Sequence, residues 1–223
     1  MAMTTMTSRV QGIYAITDSS LLQGRLLPAV EAALQGGARV IQYRDKIAAG
    51  LSADAKFREQ QRRHDEATAL LALCRQHRIP LLINDDVELA LAIGADGVHL
   101  GQGDGGLIAA RERLGSNAII GVTCHAQISL ARIAARDGAS YVAFGAMFAS
   151  ATKPLAKPCP LAVLTEARAE LALPLVAIGG ITPDNAASVI DAGAQAVAVI
   201  ASLWQAPDIR ARAQQFSQEF VRP

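Results

Sequence analysis

The chain has 223 residues, 51% of them hydrophobic, enough for one substantial core in a single domain. Lys and Arg total 21 against 20 acidic residues, so no global basic field directs the protein to nucleic acid. Aromatics make up only 4%, which leaves little for single-strand stacking, and no apolar run reaches the roughly 20 residues of a membrane span.

The opening stretch, Met1 to Arg9, has no apolar segment and is not a secretory signal. The expectation is a disordered tail over residues 1–10 and one domain over 11–223, in a cytoplasmic protein. Eight short apolar runs then predict strands at Ile13–Thr17, Val40–Tyr43, Leu81–Asn84, Gly97–Leu100, Ile119–Thr123, Tyr141–Phe144, Leu175–Ile178 and Ala196–Ile200. Their continuous Val, Ile and Leu content suits parallel strands buried on both faces. Helical spacing predicts Leu26–Leu34, Val87–Ile93, Ile128–Arg136, Leu161–Leu171 and Ala187–Ala192, with a longer, charged helix over Ser52–His77 whose Lys56–Glu66 part reads as a solvated face. Thr182 is the natural cap of the last of these, with Pro183 at its first position. Gly-Ala pairs at 37–38, 94–95, 138–139 and 193–194 mark where a helix ends and the next strand begins. Eight strands alternating with helical runs predict a (βα)8 TIM barrel. The alternative, a doubly wound sheet, wants a Gly-x-Gly-x-x-Gly after the first strand, and this one ends in Thr17-Asp18-Ser19-Ser20.

Chemistry in such barrels sits at the C-terminal strand ends. Strand 2 delivers Gln42, Arg44 and Lys46, which alternate onto one face as an anion clamp; a strand end salted for solubility is the competing reading. Strand 3 delivers Asn84, Asp85 and Asp86, and strand 4 is followed by Gln102 and Asp104. Asp85 and Asp104 emerging side by side would hold Mg²⁺, which takes oxygen ligands and bridges to phosphate. Asp86 is better placed as the cap of the helix from Val87. His99 reads as a hydrogen-bonded core histidine rather than a ligand. Strand 5 ends in Thr123-Cys124-His125: Thr123 has a hydroxyl to give an anion, whereas adjacent Cys124 and His125 face opposite sides and make a poor nucleophile–base pair. All three cysteines, Cys74, Cys124 and Cys159, read as apolar filler, since their odd number and scatter fit neither disulfides nor zinc. After strand 6, Ser150, Thr152 and Lys153 suit phosphate oxygens, with a mobile surface loop as the alternative. Gly179-Gly180 and Ile200-Ala201 form a neutral backbone nest at the barrel's usual phosphate position.

Together the runs Gln42-Tyr-Arg-Asp-Lys46, Ile83-Asn-Asp-Asp86, Gly97-Val-His-Leu-Gly-Gln102 with Asp104, Gly121-Val-Thr123, Phe148 to Lys153 and Ile178-Gly-Gly-Ile181 resemble the thiamine phosphate synthase family. The resemblance implies a Mg²⁺-dependent transferase that joins hydroxymethylpyrimidine diphosphate to hydroxyethylthiazole phosphate, releasing diphosphate. It implies Asp85 and Asp104 as metal ligands, and Gln42, Arg44, Lys46, Asn84, Thr123 and Lys153 around the pyrimidine diphosphate, with Arg44 and Lys153 acting on the leaving group. Ser150, Thr152, Gly180, Ile200 and Ala201 would hold the thiazole phosphate. Ala201 stands where a serine is usual, so contact there is through backbone, or Ser202 compensates. The resemblance alone suggests a homodimer. A thiazole tautomerase on the same barrel, with His125 as a base, is the alternative; it would have no need of the diphosphate apparatus.

Overall fold

Each of the eight apolar runs forms a parallel strand: β1 (Gly12–Ile16), β2 (Ala38–Tyr43), β3 (Leu81–Asn84), β4 (Gly97–Leu100), β5 (Ile119–His125), β6 (Tyr141–Phe144), β7 (Leu175–Ile178) and β8 (Ala196–Val199). They pair in sequential order, and β8 returns to β1 to close the barrel. The computed structural model describes residues 10–103, 106–149 and 157–222. Of the tail expected over residues 1–10 only Val10 is described, and it is buried among the residues that fill the barrel.

Alternation along each strand divides the core into two layers. Tyr14, Val40, Leu82, Ile119, Tyr141 and Val176 fill the barrel, while Ile13, Ile41, Ile83, Val142 and Leu175 face the helices. Each such side chain taken out of water contributes about 1.5–3 kcal/mol. The helices around them are α1 (Ser19–Leu22), α2 (Leu26–Gln35), α3 (Ala53–Gln76), α4 (Val87–Ile93), α5 (Leu107–Leu114), α6 (Ile128–Arg136), α7 (Leu161–Glu170), α8 (Pro183–Asp191), α9 (Ala201–Trp204) and α10 (Ile209–Gln218). The periodicity named none at α1, α5, α9 or α10. α1 and α9 are single turns, α5 buries only Ala110, and α10 only Ala213 and Phe216, so no apolar stripe marks them. α8 starts at Pro183, as its cap signal predicts, and Thr182 and Asn185 form a capping box there. The four Gly-Ala glycines all have positive φ; Gly94, at +68°, ends α4 with its N–H on the Ala90 and Leu91 carbonyls.

The three cysteines are free and buried, as filler should be. Burial pushes Cys74 and Cys124 up to about 12 and Cys159 to about 11, against an ordinary value of 9.0. The native state therefore keeps protons that the unfolded chain loses near pH 9. This contribution to stability is complete below pH 9 and is lost as pH rises through 11–12. Urea unfolding should show a free energy falling above pH 9 by at most about 1.4 kcal/mol per pH unit per thiol. Cys74→Ala with Cys124→Ala should make that fall shallower; an unchanged slope would show that these thiols are not what titrates.

Candidate active site

The end of β2 is held from both sides. Thr17, buried at the end of β1, accepts the Arg44 N–H (2.8 Å) and donates its hydroxyl to the Arg44 carbonyl (3.2 Å). The Arg44 guanidinium reaches Asp18 Oδ2 at 3.3 Å, and Asp18 also caps α1. On the opposite face the Tyr43 hydroxyl donates to Glu66 (2.7 Å), and buried Asp45 pairs with Arg62, which also binds Glu59 (2.7 Å) and Glu66 (2.8 Å). Burial, then Glu66, push Tyr43 well up, so it remains a hydroxyl donor. The Lys56–Glu66 stretch is thus not simply a solvated face. Arg62 anchors β2, and Arg63 reaches Asp86 at 3.0 Å, because α3 lies against both strand ends. Gln42 turns into the barrel and is buried, whereas Arg44 and Lys46 lie past the end of β2, the first paired with Asp18 and the second largely exposed.

At β3 the two aspartates separate in role. Asp86 Oδ1 accepts the Leu89 N–H at 2.9 Å and caps α4, as expected. Asp85 takes a left-handed backbone, φ 60°, with its N–H on the His99 carbonyl (2.9 Å). Its carboxylate receives Asn84 Nδ2 (2.6 Å) and the Gly101 N–H (3.4 Å), and Lys46 Nζ stands 4.0 Å away. A cavity of about 560 Å³ opens beside it, lined by Lys46, Asn84, Asp85, Arg63 and Arg113 among others. Asp104 lies outside the described residues, and among the described residues no three His, Cys, Asp or Glu side chains form a metal cage. The oriented Asp85 carboxylate supplies the hard oxygen that a Mg²⁺ ion would take alongside waters.

A chain of polar side chains crosses the barrel interior. Gln42 donates from Nε2 to the Tyr14 hydroxyl (2.8 Å), Tyr14 and Tyr141 hydroxyls share a bond (2.7 Å), and Tyr141 meets His99 Nδ1 (2.8 Å). His99 Nε2 lies 2.9 Å from Thr123 Oγ1. His99 also stacks on Tyr141, so the hydrogen-bonded core histidine is what the structure holds. Gly121 makes room for this: a Cβ there would sit 1.9 Å from the Tyr141 ring. Cys124 is buried with its thiol toward the Val122 carbonyl (3.6 Å), and His125 is exposed past a bulge, at φ 52°. They do not form a nucleophile–base pair.

The ends of β6, β7 and β8 converge through backbone. Met147 and Phe148 donate N–H groups to the Ile178 and Gly179 carbonyls (2.9 and 3.0 Å). Gly180, at φ +62°, would place a Cβ 2.4 Å from the Ala149 carbonyl, so only glycine allows this approach. Ser202 donates to the Ile181 carbonyl (2.7 Å), tying the turn after β8 to β7. The Ser202 hydroxyl hydrogen is thereby engaged within the fold. Ile200 precedes α9, and Ala201 begins it. Ser150, Thr152 and Lys153 lie outside the described residues.

The sequence reading missed Thr17, Asp18, Arg62, Tyr14 and Tyr141. A signal existed only for Thr17-Asp18, polar residues directly after an apolar strand; the others are recognisable only across the barrel.

A family model described as "Thiamine monophosphate synthase" matches residues 13–203. A protein of Methylobacillus flagellatus named thiamine-phosphate synthase is 54% identical over 211 residues, covering 95% of this chain and 96% of its own. A Nitrosococcus oceani protein of the same name is 51% identical over 216 residues, covering 96% and 95%. The solved thiamine phosphate pyrophosphorylase from Pyrococcus furiosus superposes with a TM-score of 0.81 at 32% identity, covering 94% of this chain and 95% of that one. With a matching barrel, a match across most of the chain and relatives at half identity end to end, this chain belongs to the thiamine monophosphate synthase family.

Proposed function

We propose that the chain couples hydroxymethylpyrimidine diphosphate with hydroxyethylthiazole phosphate to give thiamine phosphate and diphosphate. The carrying observation is the Arg44 clamp. A guanidinium held by Asp18, on backbone fastened by Thr17, follows directly on β2, the strand paired with β3, which Asp85 follows directly. Arg44, Lys46 and Lys153 take the diphosphate oxygens, and Asp85 with Asp104 would hold Mg²⁺. A bound Mg²⁺ supplies further neutralisation of charge on the leaving diphosphate. Arg44 and Lys153 stabilise the negative charge that develops as the C–O bond breaks, and the bond's electrons leave with diphosphate. The pyrimidine methyl cation, with Gln42 and Asn84 beside it, is then captured by the thiazole ring nitrogen. Ser150, Thr152 and the backbone at Gly180, Ile200 and Ala201 hold the thiazole's phosphate.

Among the described residues no helix is long and apolar enough to cross a membrane. A cytoplasmic homodimer acting on small molecules is the setting this reading expects.

Incubating the full-length protein with both substrates, with and without Mg²⁺, tests the reading. Thiamine phosphate and diphosphate should appear in equal amounts only with the metal. Product without metal would overturn the role given to Asp85 and Asp104. No product with it, or isomerised thiazole phosphate instead, would overturn the reaction.

A further inference from the structure

The buried chain from Gln42 to Thr123 has a direction, and the direction follows from donor and acceptor accounting. Gln42 Nε2 can only donate, so the Tyr14 oxygen accepts there. Tyr14 is 1% exposed, and among the described residues its other polar neighbour is Tyr141 at 2.7 Å. Its proton therefore goes to the Tyr141 oxygen, since a buried O–H without an acceptor costs about 1–3 kcal/mol. Tyr141, fully buried, must then give its own proton to His99 Nδ1 at 2.8 Å. A neutral imidazole that accepts at Nδ1 carries its hydrogen on Nε2 and donates to Thr123 Oγ1 at 2.9 Å. Once Thr123 oxygen is occupied as an acceptor, its own O–H is what it offers a ligand. Burial holds both tyrosines in the neutral form, Tyr14 and Tyr141 each being pushed well above the usual range, so the chain keeps its protons.

We infer that Tyr14, Tyr141 and His99 are positioning residues, a relay that locks His99 in the Nε2–H tautomer and makes Thr123 a hydrogen-bond donor to an anionic oxygen of the pyrimidine diphosphate. The inference rests on the assignment of Thr123 to that substrate. None of the three needs to touch the substrate; the relay settles which way the Thr123 hydroxyl is polarised before the substrate arrives. Gly121 belongs to the same device, since a side chain there would displace the Tyr141 ring.

The test reads the tautomer directly. Nitrogen NMR of the full-length protein, labelled at histidine and held above the imidazole titration range, should show His99 with a pyrrole-type Nε2 and a pyridine-type Nδ1; its signal is the one missing in His99→Asn. Tyr14→Phe should turn it into a mixture of tautomers. In kinetics, His99→Asn and Thr123→Val should each raise KM for the pyrimidine diphosphate about tenfold and leave KM for the thiazole phosphate unchanged. The double variant should be no worse than either single one. A hydrogen on Nδ1 in the parent protein, additive effects in the double variant, or equal effects on both substrates would overturn the relay. Failure of the parent to make thiamine phosphate would instead overturn the proposed reaction and leave the tautomer result standing.

Discussion

Arg44→Ala is expected to lower kcat by about 10²–10³, the usual cost of removing one preorganised donor from a developing negative charge. The guanidinium does not have to be gathered from solvent. Asp18 holds one end of it at 3.3 Å, and Thr17 fixes the backbone through both the N–H and the carbonyl of Arg44. Binding therefore orders little that is not already ordered, and more of the interaction is available in the transition state. Arg44→Lys should recover only part of the loss, because an ammonium keeps the charge but not the planar fork. KM for the thiazole phosphate should stay near its parent value. Lys153→Ala should cost kcat by a similar factor, since the same leaving group is its target. Steady-state kinetics with each substrate varied in turn checks both variants, and near-normal turnover in either would remove that residue from its assigned role.

Asp85→Asn is expected to lower turnover by at least 10² and to move the Mg²⁺ dependence to higher concentration. The backbone makes this an unusually clean substitution. Asp85 sits at φ 60°, a region that asparagine enters as readily as aspartate. The change removes charge without adding strain, whereas Asp85→Ala would mix the two. The two carboxylate oxygens accept from different donors, Asn84 at Oδ2 and Gly101 at Oδ1, so the single amide oxygen keeps the 2.6 Å bond from Asn84 and gives up the 3.4 Å contact with Gly101. Circular dichroism should match the parent and urea unfolding should show a loss of no more than about 1 kcal/mol, the worth of one hydrogen bond, while a Mg²⁺ titration of the initial rate separates the variants. An unchanged titration midpoint would take Asp85 out of the metal site.

Much of this site was legible because strand chemistry is local. The cap position of Asp86 ahead of Val87 and the Thr182-Pro183 start of α8 depend on neighbours within a few residues, and each has its expected place; the alternation expected of Gln42, Arg44 and Lys46 stops being strand geometry at Tyr43, where β2 ends. Helices that bury one or two residues, such as α5 and α10, carry no periodic stripe and could not be read. Arg62 looked like one charge among many on α3. Only the packing of that helix against the end of β2 brings it to Asp45, 17 residues away in the chain.

The sequence by itself determined the barrel, its strand ends and the residue types gathered there, because the apolar beat, the Gly-Ala turns and the alternation of side chains are all short-range consequences of backbone geometry. Only the tertiary structure decided how those residues are held. Tyr14 and Tyr141 are 127 positions apart, yet their hydroxyls lie 2.7 Å from each other. No local pattern encodes that pairing. It arises because closing the sheet points β1, β2, β4, β5 and β6 side chains into one narrow interior, where buried polar groups must satisfy one another.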